Sequence, residues 1–109
     1  MAMEFSEQLN FSFDPTAGRI QQLTLRTAPF RGNVTRVQAL LKGFDITYNN
    51  GDHHVLREEI DLDAAVDPAH PTTVNVTARF LLRDSSGNID DPFSGNVRAV
   101  VIAQTTAAG

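Results

Sequence analysis

Residues 74–83 read Val-Asn-Val-Thr-Ala-Arg-Phe-Leu-Leu-Arg. Val74, Val76, Ala78, Phe80 and Leu82 take every second position, and Asn75, Thr77, Arg79, Leu81 and Arg83 fall between them. A period of two is the mark of an extended strand with one face in a core. The same period recurs on both sides of this segment. Met3, Phe5, Leu9, Phe11 and Phe13 are odd-numbered and alternate with Glu4, Ser6, Gln8, Asn10 and Ser12; Glu7 is the odd-position exception. One long first strand is expected there, with the face of Phe5, Phe11 and Phe13 in the core or at a subunit contact. Leu23 and Leu25 predict a short strand. Between Val34 and Tyr48 the phase changes, from odd (Val37, Ala39, Leu41) to even (Phe44, Ile46, Tyr48). A one-residue slip would turn the wrong face inward, so a bulge is expected near Lys42-Gly43. Leu56, Ile60 and Leu62 oppose Arg57, Glu59 and Asp61 on a further strand. Arg98 to Gln104 closes the series. It is apolar on both faces at Val100, Val101 and Ile102, as a central or doubly covered strand would be.

Turn chemistry separates these segments. Asp14 to Gly18, Ala28 to Asn33, Asn49 to Asp52, Asp67 to Pro71 and Asp84 to Asn96 carry the Gly, Pro, Asn and Asp that reverse a chain. Asp63 to Val66 is compatible with one helical turn at most. Six strands and no long helix predict an all-β fold, a six-stranded antiparallel β-sandwich. A single domain is expected over residues 1–109, with residues 105–109 as a frayed tail.

Composition narrows the function classes. The chain has 109 residues, no Cys and no Trp, and a formal net charge of −4. A chain of this size buries about two-thirds of its surface, enough for one core. Without Cys there is no disulfide framework, no thiol catalysis and no Cys-bound zinc. The negative charge argues against nucleic acid as a partner. No apolar run is long enough to span a membrane as a helix, and no signal peptide is evident at Met1 to Asn10. A soluble protein of unassigned compartment is expected.

Candidate chemistry is sparse. Asp52-His53-His54 is the densest polar cluster, but adjacent residues of a strand point to opposite faces, which opposes a shared metal. His70 belongs to a different turn. Asp84, Ser86, Asn88 and Asp90 alternate like oxygen donors of a calcium loop, yet the glycine offset and a closing Glu are missing. A polar connection with Asx turns is the simpler reading. Glu59, Asp61 and Asp63 share a strand face with neighbouring Cα atoms roughly 6.5–7 Å apart, and a solvated face is favoured over an acid/base pair. No Gly-x-Ser-x-Gly, His-Glu-x-x-His or P-loop pattern occurs. A non-enzymatic protein without metal or cofactor is expected. Of the nine basic residues eight are Arg, whose planar fork suits carboxylates and sugar hydroxyls. Arg57, Arg79, Arg83 and Arg98 lie on or beside expected strands. They either line a shared face or pair with Glu58, Glu59 and Asp61.

At Leu40-Leu41-Lys42-Gly43-Phe44-Asp45-Ile46 the chain resembles the H-type lectin domain. The likeness extends from Phe30 to Gln104. It includes the turn at Asn49 to Asp52, the polar strand from His54 to Leu62, the alternating strand Val74 to Asp84, and an apolar last strand ending in Ile102-Ala103. The resemblance implies a six-stranded sandwich assembled as a trimer or hexamer, with carbohydrate or glycoconjugate bound between protomers. It also implies an Arg of recognition, for which Arg57 is the nearest match and His54 the competitor. The aromatic residue that the family often places before the position of Asp84 is replaced here by Leu82-Arg83. Phe93, in a longer loop, is the ring available to stand in. The expected ligand-binding set is Asp52, His54 and Arg57 from one loop with Arg83, Asp84 and Asn88 from another. The alternative is a structural assembly subunit, such as a phage tail or appendage component, that binds no sugar.

Overall fold

The computed structural model describes residues 1–16, 20–48, 55–84 and 93–108. Seven strands run through them: β1 (Ala2–Phe5), β2 (Leu9–Thr16), β3 (Gln21–Arg26), β4 (Val34–Tyr48), β5 (Val55–Asp67), β6 (His70–Asp84) and β7 (Phe93–Thr105). There is no helix among the described residues. All pairings are antiparallel. β7 is the centre of one sheet, with β4 on one side and β1 and β2 in succession on the other. β6 is the centre of the second, between β3 and β5. The expected all-β, two-layer architecture is thus present.

The alternation of residues 74–83 does what its period demands. Val74, Val76, Ala78, Phe80 and Leu82 are buried. Across the ladder they meet Leu23 and Leu25 of β3 and Ile60, Leu62, Ala64 and Val66 of β5. From the facing sheet come Phe11, Phe13, Phe93, Val97, Ala99, Val101 and Ala103. Rings lock the layers together: Phe80 packs edge-on against Phe13 at 4.2 Å and Phe93 at 5.5 Å between centroids. A polar tie joins them too, since buried Gln21 on β3 donates from Nε2 to the carbonyl of Phe93 at 2.8 Å.

The bulge expected near Lys42-Gly43 is there: the β4–β7 register shifts between Leu41 and Gly43. Upstream, Val37 and Ala39 face the core; downstream, Ile46 and Tyr48 do. β7 is central, as its two apolar faces suggested.

Several boundaries differ from the sequence reading. The expected long first strand is broken at Ser6–Gln8. Phe5 pairs with Ile102, but Leu9 pairs with Ala99, so one extra residue lies on this edge. Ser6 fills the break: its N–H donates to the Val101 carbonyl and its Oγ accepts from the Val101 N–H. The extra residue reverses the faces. Phe11 and Phe13 stay in the core, whereas Met3 and Phe5 face solvent, 62% and 69% exposed. The strand count among the described residues is accordingly seven, not six. Asp63 to Val66 is not a helical turn but part of β5, where Asp63 and Ala64 pair with Thr77 and Val76. The turn expected from Asp67 to Pro71 shrinks to Pro68-Ala69, with Asp67 opposite His70. There the buried Asp67 carboxylate accepts from the Ala69 N–H and pairs with Arg26 at 2.9 Å. β7 starts at Phe93, inside the segment expected to be loop. At the other end Thr105 is buried, and Thr106 bonds Asn33 through backbone and hydroxyl.

β4 and β6, of 15 residues each, extend about 50 Å at 3.3 Å per residue. That length sets the long dimension of the chain, 53 × 22 × 17 Å. The radius of gyration, 16.3 Å, exceeds the roughly 13 Å of a rounder domain of this length. Thin layers leave each sheet a long outer face, and the two outer faces differ in chemistry.

Candidate functional site

On the outer face of the second sheet, β3, β6 and β5 present Gln22, Thr24, Arg79, Thr77, Asp61 and Asp63. Register places Gln22 and Asp61 on either side of Arg79, and Thr24 and Asp63 on either side of Thr77. The Arg79 fork is held from both flanks. Its Nε donates to Gln22 Oε1 at 2.8 Å, and its Nη1 lies 3.2 Å from Asp63 Oδ2 and 3.6 Å from Asp61 Oδ2. Thr24 and Thr77 share a hydroxyl hydrogen bond at 2.8 Å. Such exposed ion pairs contribute about 0–1 kcal/mol each to stability. Their effect is to fix the guanidinium flat across the sheet with both carboxylates beside it.

Next to Arg79 on the same face stands Leu81, only 1% exposed, opposite Glu59. It underlies a depression of about 440 Å³ to which Ile20 gives an exposed aliphatic side and which Glu59, Asp61 and Arg79 also line. Apolar surface beside a few convergent polar groups is the composition of a small-molecule site. Arg offers donors and carboxylates offer acceptors, so the depression can meet the two sides of a polyol: C–H groups against the exposed Ile20, hydroxyls against Arg79, Asp61 and Glu59.

The expected ligand-binding residues divide into two groups. Asp52, His54 and Asn88 lie outside the described residues, as does most of the calcium-like run from Asp84 to Asp90. Arg57, Arg83 and Asp84 lie on β5 and β6, and the backbone sets Arg57 directly opposite Arg83 and Asp84 opposite Val55. That row is two residues along the ladder from Glu59 and Leu81, at the same end of the sheet as the depression. Arg98 is not with them: it belongs to β7 of the other sheet, between Asn10 and Gly43. The four arginines therefore do not share a face. Arg79 takes the pairing alternative, though with Asp61 and Asp63 rather than Glu58 or Glu59. His70 pairs with Asp67 at the far end of the β5–β6 ladder, and among the described residues no group of three His, Asp or Glu is placed to hold a metal. Phe93 is fully buried against Phe80 and cannot serve as a sugar-stacking ring. The depression rests on Ile20 and Leu81, which sequence reasoning passed over as site residues. Leu81 carried a signal: it is the one apolar residue on the otherwise polar side of the 74–83 alternation.

No family model, curated protein or solved structure matches the chain. No helix among the described residues is long and apolar enough to cross a membrane.

Proposed function

We propose that the chain is a non-enzymatic ligand-binding module of H-type-lectin-like form. It takes a carbohydrate on the outer face of β5 and β6 and gains avidity as a homo-oligomer. The observation that carries this reading is the depression beside Ile20, where Arg79, held laterally by Asp61 and Asp63, meets an exposed aliphatic side chain. Arg57 and Arg83 are opposed in the backbone register two residues further along the same ladder. An aliphatic wall holds a sugar less firmly than an aromatic ring does, so single sites of this kind are weak and repetition supplies the affinity.

The test is a glycan array read with the intact chain and with Arg79→Ala and Arg57→Ala. Binding that falls at least tenfold in both variants, with the melting temperature kept within a few degrees, is the expected result. A blank array with the intact chain contradicts the sugar reading. A stable oligomer with that blank array favours the second reading, a structural assembly subunit. A specific observation supports that alternative: Met3, Phe5 and Leu40 are exposed on the outer face of the other sheet.

A further inference from the structure

Arg98 alternates with the buried Val97 and Ala99 of β7 and so stands on the outer side of its sheet, between Asn10 of β2 and Gly43 of β4. Its guanidinium is drawn down over Gly43: a Cβ there would lie 2.7 Å from Nη2 and 3.2 Å from Cζ. The bulge at Lys42 is what brings this glycine opposite Arg98. Laid down in this way, Arg98 has an Nε that is closed to solvent and meets no acceptor. Arg26, Arg31 and Arg79 each meet a carboxylate. Arg98 has neither an ion pair nor a hydrogen bond among the described residues. A charged donor withdrawn from water without an acceptor is costly, and the cost is recovered where an acceptor arrives.

The surroundings are polar and built across three strands. The Lys42 ammonium reaches over β7 to donate to Gln8 Oε1 at 2.6 Å, and Gln8 Nε2 donates to Asn10 Oδ1 at 2.6 Å. That chain borders Arg98 on one side and leaves Asn10 Nδ2 as a further donor. Asp45 and Asn96, opposed in register, border it on the other. We infer that Arg98 is the centre of a second ligand site, on the sheet opposite the Arg79 depression, and that it takes a small carboxylate. Guanidinium and carboxylate match as two planar forks. Charge selects the same group: Arg98 and Lys42 are cations and Asp45 an anion, which leaves a single positive charge for the ligand to neutralise. A phosphate group, at about −1.5 to −2 near pH 7, would carry an excess against Asp45. Because the fold already withdraws Nε from water, less desolvation opposes the ligand here than at the exposed Arg36. The inference rests on neither the sugar nor the oligomer proposed above.

Heteronuclear NMR on the nitrogen-labelled intact chain tests it, with sodium acetate titrated against sodium chloride at equal ionic strength. The Arg98 Nε–H and the Asn10 side-chain amide should shift and saturate with acetate, and inorganic phosphate should need a higher concentration for the same shift. Arg98→Gln should weaken the Asn10 response roughly tenfold or more, while Arg36→Gln, on the same sheet, leaves it unchanged. Gly43→Ala should weaken it too, since the nearest atoms to the added Cβ all belong to the Arg98 side chain, and it stands in should Arg98→Gln fail to fold. Asp45→Asn should bring phosphate level with acetate or ahead of it. Signals that chloride moves equally, or an Asn10 response that survives both Arg98→Gln and Gly43→Ala, overturn the site. Phosphate preferred over acetate by the intact chain overturns the carboxylate.

Discussion

Gly95 and Glu4 show how much of this fold hangs on single positions. Gly95 has φ of +152°, and a Cβ there would lie 2.0 Å from the Asp45 carbonyl oxygen. It sits in the central strand, between Phe13 and Ile46, so neither neighbour can back away. Strain and clash together are worth at least about 2 kcal/mol. Gly95→Ala should therefore lower the melting temperature by roughly 10 °C or prevent folding; an unchanged melt would contradict the geometry. Glu4 faces the layer interior from β1. Its carboxylate accepts from the Thr105 hydroxyl at 2.5 Å and the Arg31 N–H at 3.0 Å, with the Arg31 side chain 3.5 Å away. The Thr105 bond first, then the Arg31 N–H and charge, hold its pKa below the ordinary value of 4.5. A depressed carboxyl stabilises the fold above the unfolded pKa, and this is lost as pH falls through the folded value. Glu4→Gln should melt lower than the parent at pH 7, and the gap should shrink and then close as pH falls through and below the ordinary carboxylate range. A gap that is constant with pH would show that the charge of Glu4 contributes nothing. Neither role was legible in the sequence. Glu4 reads as a solvent-side residue until the extra residue between Phe5 and Leu9 is known, and Gly95 reads as part of a loop.

At the scale of the strand, legibility followed the phase of the pattern. Lys42-Gly43 was readable as a bulge because the apolar positions change from odd to even across it. The Ser6–Gln8 break was not, because Met3, Phe5, Phe11 and Phe13 are odd on both sides. There the ladder gains a residue while the pattern stays constant, so the same parity means core on β2 and solvent on β1. That mismatch between pattern and register is what exposes Met3 and Phe5 on the outer face. β5 past Asp63 was missed for another reason: Ala64 and Ala65 are good helix formers in isolation, and pairing with Val76 and Asn75 overrides the preference. The bulge yields a sharp expectation. Deleting Lys42 would bring Leu41 and Gly43 onto the consecutive partners Ala99 and Arg98 and keep Ile46 and Tyr48 on the core side, so the deletion should still fold by circular dichroism, whereas inserting one residue after Phe44 should force Ile46 and Tyr48 outward and leave the chain unfolded. Tolerance of that insertion would mean that β4 reaches its register in some other way.

For the whole molecule, thinness is the governing fact. Two sheets built on strands about 50 Å long enclose a narrow core, and the surface, 6379 Å², is somewhat above the roughly 6,000 Å² of a typical chain of this mass. Two broad outer faces result, one polar around Arg79, where the proposed ligand site lies, and one on which Met3, Phe5 and Leu40 are exposed. Of the expected site residues, Arg57 and Arg83 are opposed across the β5–β6 ladder, through a register shift between Val66 and Asp67 that the sequence pattern did not reveal. Nor was the depression legible, since it needs Ile20 from a third strand's approach. All of this depends on which phenylalanines face one another. Aromatic nuclear Overhauser contacts in the labelled protein measure that directly. Cross-peaks from the Phe80 ring to Phe13 and to Phe93, with none to Phe5, are the predicted result; contact between Phe5 and Phe80, or no contact among Phe13, Phe80 and Phe93, would contradict the two-layer arrangement and the division of its faces.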